Sequence, residues 1–207
     1  MKFVIFGAGG MATEVIGYIE SDGHEVAYIV SDEVFGNAYF NKRYAVVTAP
    51  LDDGLPGLLC VAEPATKRAI VERFPQVLWG SFWHSSCYVS PHAIAGRGCI
   101  GAPQAILAGD PVLEQFCFLN TNATIGHGAR LGEYSTLFPN TEICGGCEVG
   151  ADCILGIGAY VLPGKTIHAG SKISAGAVVR ESTMGPSNLY GDSRGNYRVS
   201  MHNRNTK

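Results

Sequence analysis

The sequence predicts a small α/β unit over residues 1–80 followed by a parallel β-helix of about five coils over residues 81–180, with a tail at 181–207. Three observations carry that reading. A glycine-rich turn separates a strand-like run from a helix-like one at the start of the chain. From Leu113 to Ile173 an aliphatic residue returns at every sixth position, eleven times in succession. Glycine is abundant, 27 in 207 residues, while charged residues make up only 16% against a usual ~25%. Tight corners, rather than charged helical surface, fill such a chain.

Lys2 to Phe6 reads as a buried strand, followed by Gly7-Ala8-Gly9-Gly10 and then by Met11 to Ser21, where Met11, Val15, Ile16 and Ile19 fall at helical spacing. A second strand, Glu25 to Val30, ends at Ser31-Asp32-Glu33. Strand-like runs follow at Tyr44 to Thr48 and Leu58 to Ala62, then a proline-started helix over Pro64 to Arg73. Trp79 to Cys87 marks the passage into the repeat. The segment Gly7-x-Gly9-x-x-Ala12, with Asp32 twenty residues beyond Ala12, satisfies a relaxed nucleotide-binding fingerprint within a small Rossmann-like parallel sheet. Backbone N–H groups at the helix start can approach a phosphate, and Asp32 can accept from a ribose hydroxyl. Gly7, Ala8, Gly9, Gly10, Ser31 and Asp32 are therefore candidate substrate-binding residues. A glycine that merely closes a strand-to-helix turn would leave the same trace. Eighty residues supply about half of a full dinucleotide fold, which favours the nucleotide part of a larger substrate over a bound NAD.

The repeat carries two columns. Four residues after each aliphatic position stand Cys117, Ala123, Ala129, Ser135, Thr141, Cys147, Cys153, Ala159, Lys165, Ser171 and Ala177, small in ten cases of eleven. A period of six matches neither the helix nor plain strand alternation over so long a run, so each hexad is a short strand and a corner, and three hexads close one coil. Coils then stack about 4.8 Å apart. The frame continues backwards, more weakly, to Val89. Cys144 and Cys147 form a C-x2-C pair, but Cys147 belongs to the small column with Cys99, Cys117 and Cys153, so packing rather than a metal site is expected.

This repeat resembles the hexapeptide-repeat acyltransferases, which implies a left-handed helix. Together with the glycine turn it resembles, over about residues 1–180, the bacterial sugar acyltransferases that acetylate nucleotide-linked 4-amino sugars and the related sialic acid O-acetyltransferases. The resemblance implies acetyl-CoA as acyl donor, a homotrimer with active sites between protomers, and a nucleotide-linked amino sugar held by the first eighty residues. Asn120-Thr121-Asn122-Ala123-Thr124-Ile125-Gly126-His127 resembles the active-site segment of that family, implying His127 as general base with Asn120 beside it. Thr136, Gly145, Gly156, Ile157 and Ala175 are implied as coenzyme A contacts. An O-acetyltransferase, or a non-catalytic nucleotide-sensing scaffold, remains open at this point.

His127 also stands out in the frame itself. It occupies an outward corner, and the eighteen-residue coil stacks it between Gly109 and Gly145, two residues without side chains. Of the other histidines, His24 and His84 fall in loops, His92 in the first coil, His168 in a late hexad and His202 in the tail. The chain departs from its relatives at Gly128, where they commonly carry an acid beside the histidine. Asp110, eighteen residues earlier on the same corner, is the replacement candidate, with Glu133 or Glu114 of a neighbouring chain as alternatives. The tail, beginning Gly185-Pro186-Ser187-Asn188, departs as well.

A net charge of -3 and the lack of a basic run argue against a nucleic-acid partner. No apolar stretch approaches the ~18 residues of a membrane span. The first twelve residues run into Thr13 and Glu14 without a cleavage site, and seven cysteines without a disulfide framework fit a reducing compartment, so a cytoplasmic protein is expected.

Overall fold

In the computed structural model, residues 1–32, 43–191 and 197–201 are described. Glu33, Asp192 and His202 of the sequence reading lie outside them. The chain opens with strand β1 (Lys2–Phe6), helix α1 (Gly10–Ser21), β2 (Glu25–Val30), β3 (Val46–Val47), β4 (Gly57–Leu59) and helix α2 (Pro64–Arg73). The four strands pair in parallel in the order β3-β2-β1-β4. Strand β1 is thus central, and the order reverses beside it. Both faces of β1 are buried, as parallel sheets require. Phe3 and Ile5 share one apolar cluster with Ala12, Val15, Ile16 and Ile19 of α1; Val4 and Phe6 share another with Tyr28, Val30, Leu59, Phe74 and Trp79. The strand expected over Leu58 to Ala62 ends at Leu59, which frees Cys60, Val61 and Ala62 to line a cavity at its carboxyl end.

From Phe82 onward the chain is a parallel β-solenoid of two-residue strands on three faces. From Phe82 to Val179 every pairing joins residues eighteen apart, as in Phe118↔Thr136, Thr124↔Glu142 and Arg130↔Glu148. The first face begins at Phe82–Trp83 and includes Phe118–Leu119 and Thr136–Leu137. The second begins at Tyr88–Val89 and includes Thr124–Ile125; the third begins at Ile94–Ala95 and includes Arg130–Leu131. Ser187–Gly191 extends the first face in parallel beyond Lys172–Ile173, and Tyr197–Met201 closes that edge antiparallel. An unpaired edge there would be a template for another chain.

The aliphatic column fills the prism, each member no more than 3% exposed from Leu113 to Ile173. The small column lies beside it, buried at every position except Lys165, which is half-buried and reaches Glu181 at 3.7 Å. Cys99, Cys117, Cys147 and Cys153 are free and buried; Cys147 donates to the Leu162 carbonyl at 3.1 Å. From Phe116 to Gly176 the corners, Gly128 excepted, follow one rule. The residue in the left-handed region sends its N–H to the carbonyl nineteen residues earlier, as Gly146 does to His127 (2.8 Å) and Asn140 to Thr121 (2.9 Å).

The first region rests on the first face. Phe82, Ile100 and Phe118 of that face join the α1 cluster, and Phe116 and Tyr134 join the other. Lys67 of α2 is buried in the joint, donating to the carbonyls of Phe116 and Tyr134 (3.1 Å each), the Ser135 carbonyl (3.3 Å) and Thr136 Oγ1 (2.8 Å). Burial pushes its ammonium down to about 8. Its neighbour Arg68 binds both oxygens of Asp152 (2.8 and 3.0 Å) and Glu133 (2.9 Å), while stacking 4.2 Å over Tyr134. By contrast, outward Tyr88, Ile106 and Tyr160 on the second face and Ile94 on the third are exposed. Among the described residues no helix is long and apolar enough to cross a membrane.

Candidate active site

Two sets of residues take shape, on different sides of the chain. The first surrounds a cavity of about 500 Å³ at the carboxyl ends of β1, β2 and β4, where an open parallel sheet presents ligand sites at its switch point. Gly7, Ala8, Gly9, Gly10, Ser31 and Asp32 all line it. Gly7 has φ +118°, and a Cβ there would stand 2.9 Å from the Cys60 carbonyl oxygen, so the turn needs glycine. Gly9 and Gly10 face open space. Gly9 is the N-cap of α1 and offers no side-chain acceptor, leaving the first-turn N–H groups to other partners. Among the lining residues that the sequence did not single out are three polar ones, Thr48 and, from α2, Thr66 and Arg73; Arg73 forms an ion pair with Asp32 at the rim. Only the fold brings the end of α2 to β2.

The second set surrounds His127, exposed at the corner between the second and third faces. A Cβ on Gly109 would lie 2.7 Å from His127 Cβ, and one on Gly145 would lie 2.4 Å from Nε2 and 2.5 Å from Cε1. The imidazole therefore packs over Gly145 and its backbone over Gly109. No side chain fits at either place without displacing it.

Asp110 lies one coil below, as expected, but its carboxylate serves the backbone. Oδ1 accepts from Gly128 N–H at 2.8 Å, in place of the carbonyl that the corner rule would supply. The cause is Pro111. A residue before proline is excluded from helical conformations, so the positive φ moves back one residue to Gly109, at +80°. The carbonyl shifts with it, and Asp110 fills the gap. Among the described residues no ion pair joins Asp110, or any other acid, to His127. Glu114 and Glu133 are engaged with Arg130 and Arg68.

Asn120 is buried at the corner between the first and second faces. Its Nδ2 donates to Glu14 Oε2 of α1 at 3.2 Å and its Oδ1 accepts from Thr121 N–H at 2.7 Å. Within the chain it faces the first region rather than His127, from which one strand separates it. Of the residues implied as coenzyme A contacts, Gly145 adjoins the imidazole. Gly156 lies against Ala175, a Cβ on it standing 2.6 Å from Ala175 N, and Ile157 is 54% exposed at the same corner. Thr136 is corrected. It is fully buried in the joint, its hydroxyl donating to the Ala62 carbonyl (2.8 Å) and accepting from Lys67, so it offers no surface to a cofactor.

No family model matches the chain. A curated relative, UDP-3-O-acylglucosamine N-acyltransferase of Albidiferax ferrireducens, is 35% identical over 95 residues, which are 44% of this chain and 29% of the relative. The chain thus spans less than a third of that protein. Among solved structures, the perosamine N-acetyltransferase of Caulobacter crescentus, in complex with CoA and GDP-perosamine, is similar with a TM-score of 0.82 and 26% identity, covering 97% of each chain. The acetyltransferase domain of PglB from Neisseria gonorrhoeae, in complex with acetyl coenzyme A, is similar with a TM-score of 0.80 and 22% identity, covering 91% of this chain and 95% of that one. Over nearly its whole length, then, this chain has the fold of solved acetyltransferases in complex with CoA or acetyl coenzyme A, and over 44% of its length it is similar in sequence to a curated N-acyltransferase.

Proposed function

We propose that the protein is an acetyl-CoA-dependent N-acetyltransferase acting on a nucleotide-linked amino sugar, a 4-amino-4,6-dideoxy sugar in the first instance, with His127 as general base. The observation that carries this reading is the imidazole set at an exposed corner, packed over Gly145 with its backbone over Gly109, where a thioester and an amine could approach it from solvent. The sugar nitrogen attacks the thioester carbonyl and the N–C bond forms. His127 takes one proton from the ammonium centre this attack creates and passes it to the sulfur as the C–S bond breaks, so that coenzyme A leaves as its thiol. Gly145 N–H, which among the described residues enters no backbone hydrogen bond, would donate to the developing oxyanion. The cavity beside Gly7–Gly10 would hold the nucleotide, and Gly156, Ile157 and Ala175 a part of coenzyme A. Asp110 acts in this scheme by pinning the corner.

A single chain does not complete such a site. The first region covers the first face, whereas His127 stands at the vertex opposite that face. A trimer in which the exposed apolar second face of each chain meets its neighbour, bringing one chain's cavity to another's His127, resolves the separation. The test is thiol release from acetyl-CoA with UDP- and GDP-linked 4-amino sugars. Release that depends on the amino sugar and yields a base-stable amide supports the reading; an ester labile to mild base would make the enzyme an O-acetyltransferase, and nucleotide binding without thiol release would make it a sensor.

A further inference from the structure

Several acids tie the first region to the solenoid, and nearly all of them face a base. Glu63 meets Lys172 at 3.4 Å, Glu133 and Asp152 meet Arg68, and Asp22 faces His24 and His84 at 3.8 Å each while accepting from Ser85 N–H. Glu14 is the exception. It is exposed, it crosses the joint to a neutral amide, Asn120, and among the described residues it forms no ion pair. Its Oε2 is occupied by Asn120 Nδ2; its Oε1 accepts no hydrogen bond there. Asn120, only 3% exposed and held through Oδ1 by Thr121 N–H, fixes the carboxylate from below.

The position of Glu14 matters as much as its missing partner. It lies three residues after Met11 and four after Gly10, both of which line the cavity. Residues at those spacings share one helix face. A ligand whose phosphates sit at the start of α1 would extend its sugar past the next helical turn, where Glu14 stands. An anionic diphosphate gains nothing from a carboxylate there, but an ammonium group does. We infer that Glu14 is the residue that receives the amino group of the sugar, through Oε1, and so discriminates an amino sugar from its hydroxyl counterpart before the amine reaches the base. This rests on the nucleotide-sugar reading above. A charge-assisted hydrogen bond forms with the protonated amine, which then loses one proton to solvent so that the neutral nitrogen can attack.

The measurement is calorimetric binding of UDP- and GDP-linked 4-amino sugars, of the same compounds bearing a hydroxyl in place of the amine, and of free UDP and GDP, to the full chain and to Glu14→Gln and Glu14→Ala. The preference of the unaltered protein for the amino sugar over its hydroxyl counterpart should fall about tenfold or more in both variants, with free nucleotide bound as before. The Asn120→Ala variant should lose part of the preference, because Glu14 is then less well held. A preference retained in both Glu14 variants overturns the assignment. So does a parallel loss of free-nucleotide affinity, since that would mark Glu14 as a support of the joint. Failure of the broader reading looks different: the unaltered protein would bind none of these nucleotides, and the assignment would fall with it.

Discussion

The cavity and the histidine corner place their chemistry in opposite ways. In the α/β region the residues of interest are those that follow a pattern: strand, glycine turn, helix, and an acid at the end of the second strand. In the solenoid they are those that break one. Phe116 to Gly176 form a run of corners that pass the same N–H to the same carbonyl, and Gly128 is the one that does not. That corner carries His127. A repeat built for stacking offers a reacting group only where a side chain projects and its neighbours above and below have none.

The largest effect should come from the histidine itself. His127→Ala is expected to lower thiol-release turnover on the order of 10²–10⁴-fold with the particle size by light scattering unchanged; a loss below about fivefold across pH would remove it from the mechanism. Gly145→Ala sharpens the point without replacing His127, because the added methyl would overlap its ring at 2.4 Å. Displacing the imidazole should cost about 10²-fold in kcat, and unchanged turnover would show that the sandwich is incidental.

The cavity should answer differently. Asp32→Ala ought to raise KM for the nucleotide sugar and leave that for acetyl-CoA nearly unchanged; equal weakening of both would move the substrate elsewhere. The separation of the two sets is itself testable. If sites form between chains, mixed oligomers of His127→Ala and Asp32→Ala protomers should recover activity above either variant alone, because some interfaces then pair an intact cavity with an intact histidine.

Smaller effects distinguish support from chemistry. Asp110→Asn keeps an acceptor for Gly128 N–H, whereas Asp110→Ala does not. The alanine variant should lose about 1 kcal/mol of stability and some kcat, and the asparagine variant should resemble the parent. An altered pH–rate profile in the asparagine variant would instead restore Asp110 as a partner of the imidazole. In the joint, Lys67 titrates near 8 when folded, below the 10.5 of a free lysine. Between those values the unfolded chain binds more protons, so this group makes the protein relatively more stable as pH rises through the window, by up to about 3 kcal/mol. Chemical denaturation at pH 7 and pH 10 should therefore show the unaltered protein gaining on Lys67→Met.

The hexad columns alone determined where the solenoid runs, which residues fill it and that His127 projects from a corner between two glycines. Those features are periodic, and a period is legible in one dimension. The α/β elements were also legible within a few residues, since helix and strand repeats and the glycine turn are local. What the tertiary structure decided depends on residues far apart in the chain. Thr136, implied as a coenzyme A contact, lies under α2, and no local signal marks Lys67 and Arg68 for their partners at 133–136 and 152. Arg73 reached Asp32 and Glu14 reached Asn120 only through packing. The same holds for Asp110. Spacing placed it beneath Gly128, but a proline's exclusion of one backbone conformation decided that its carboxylate would bind a peptide N–H, and such a choice is made by geometry in three dimensions.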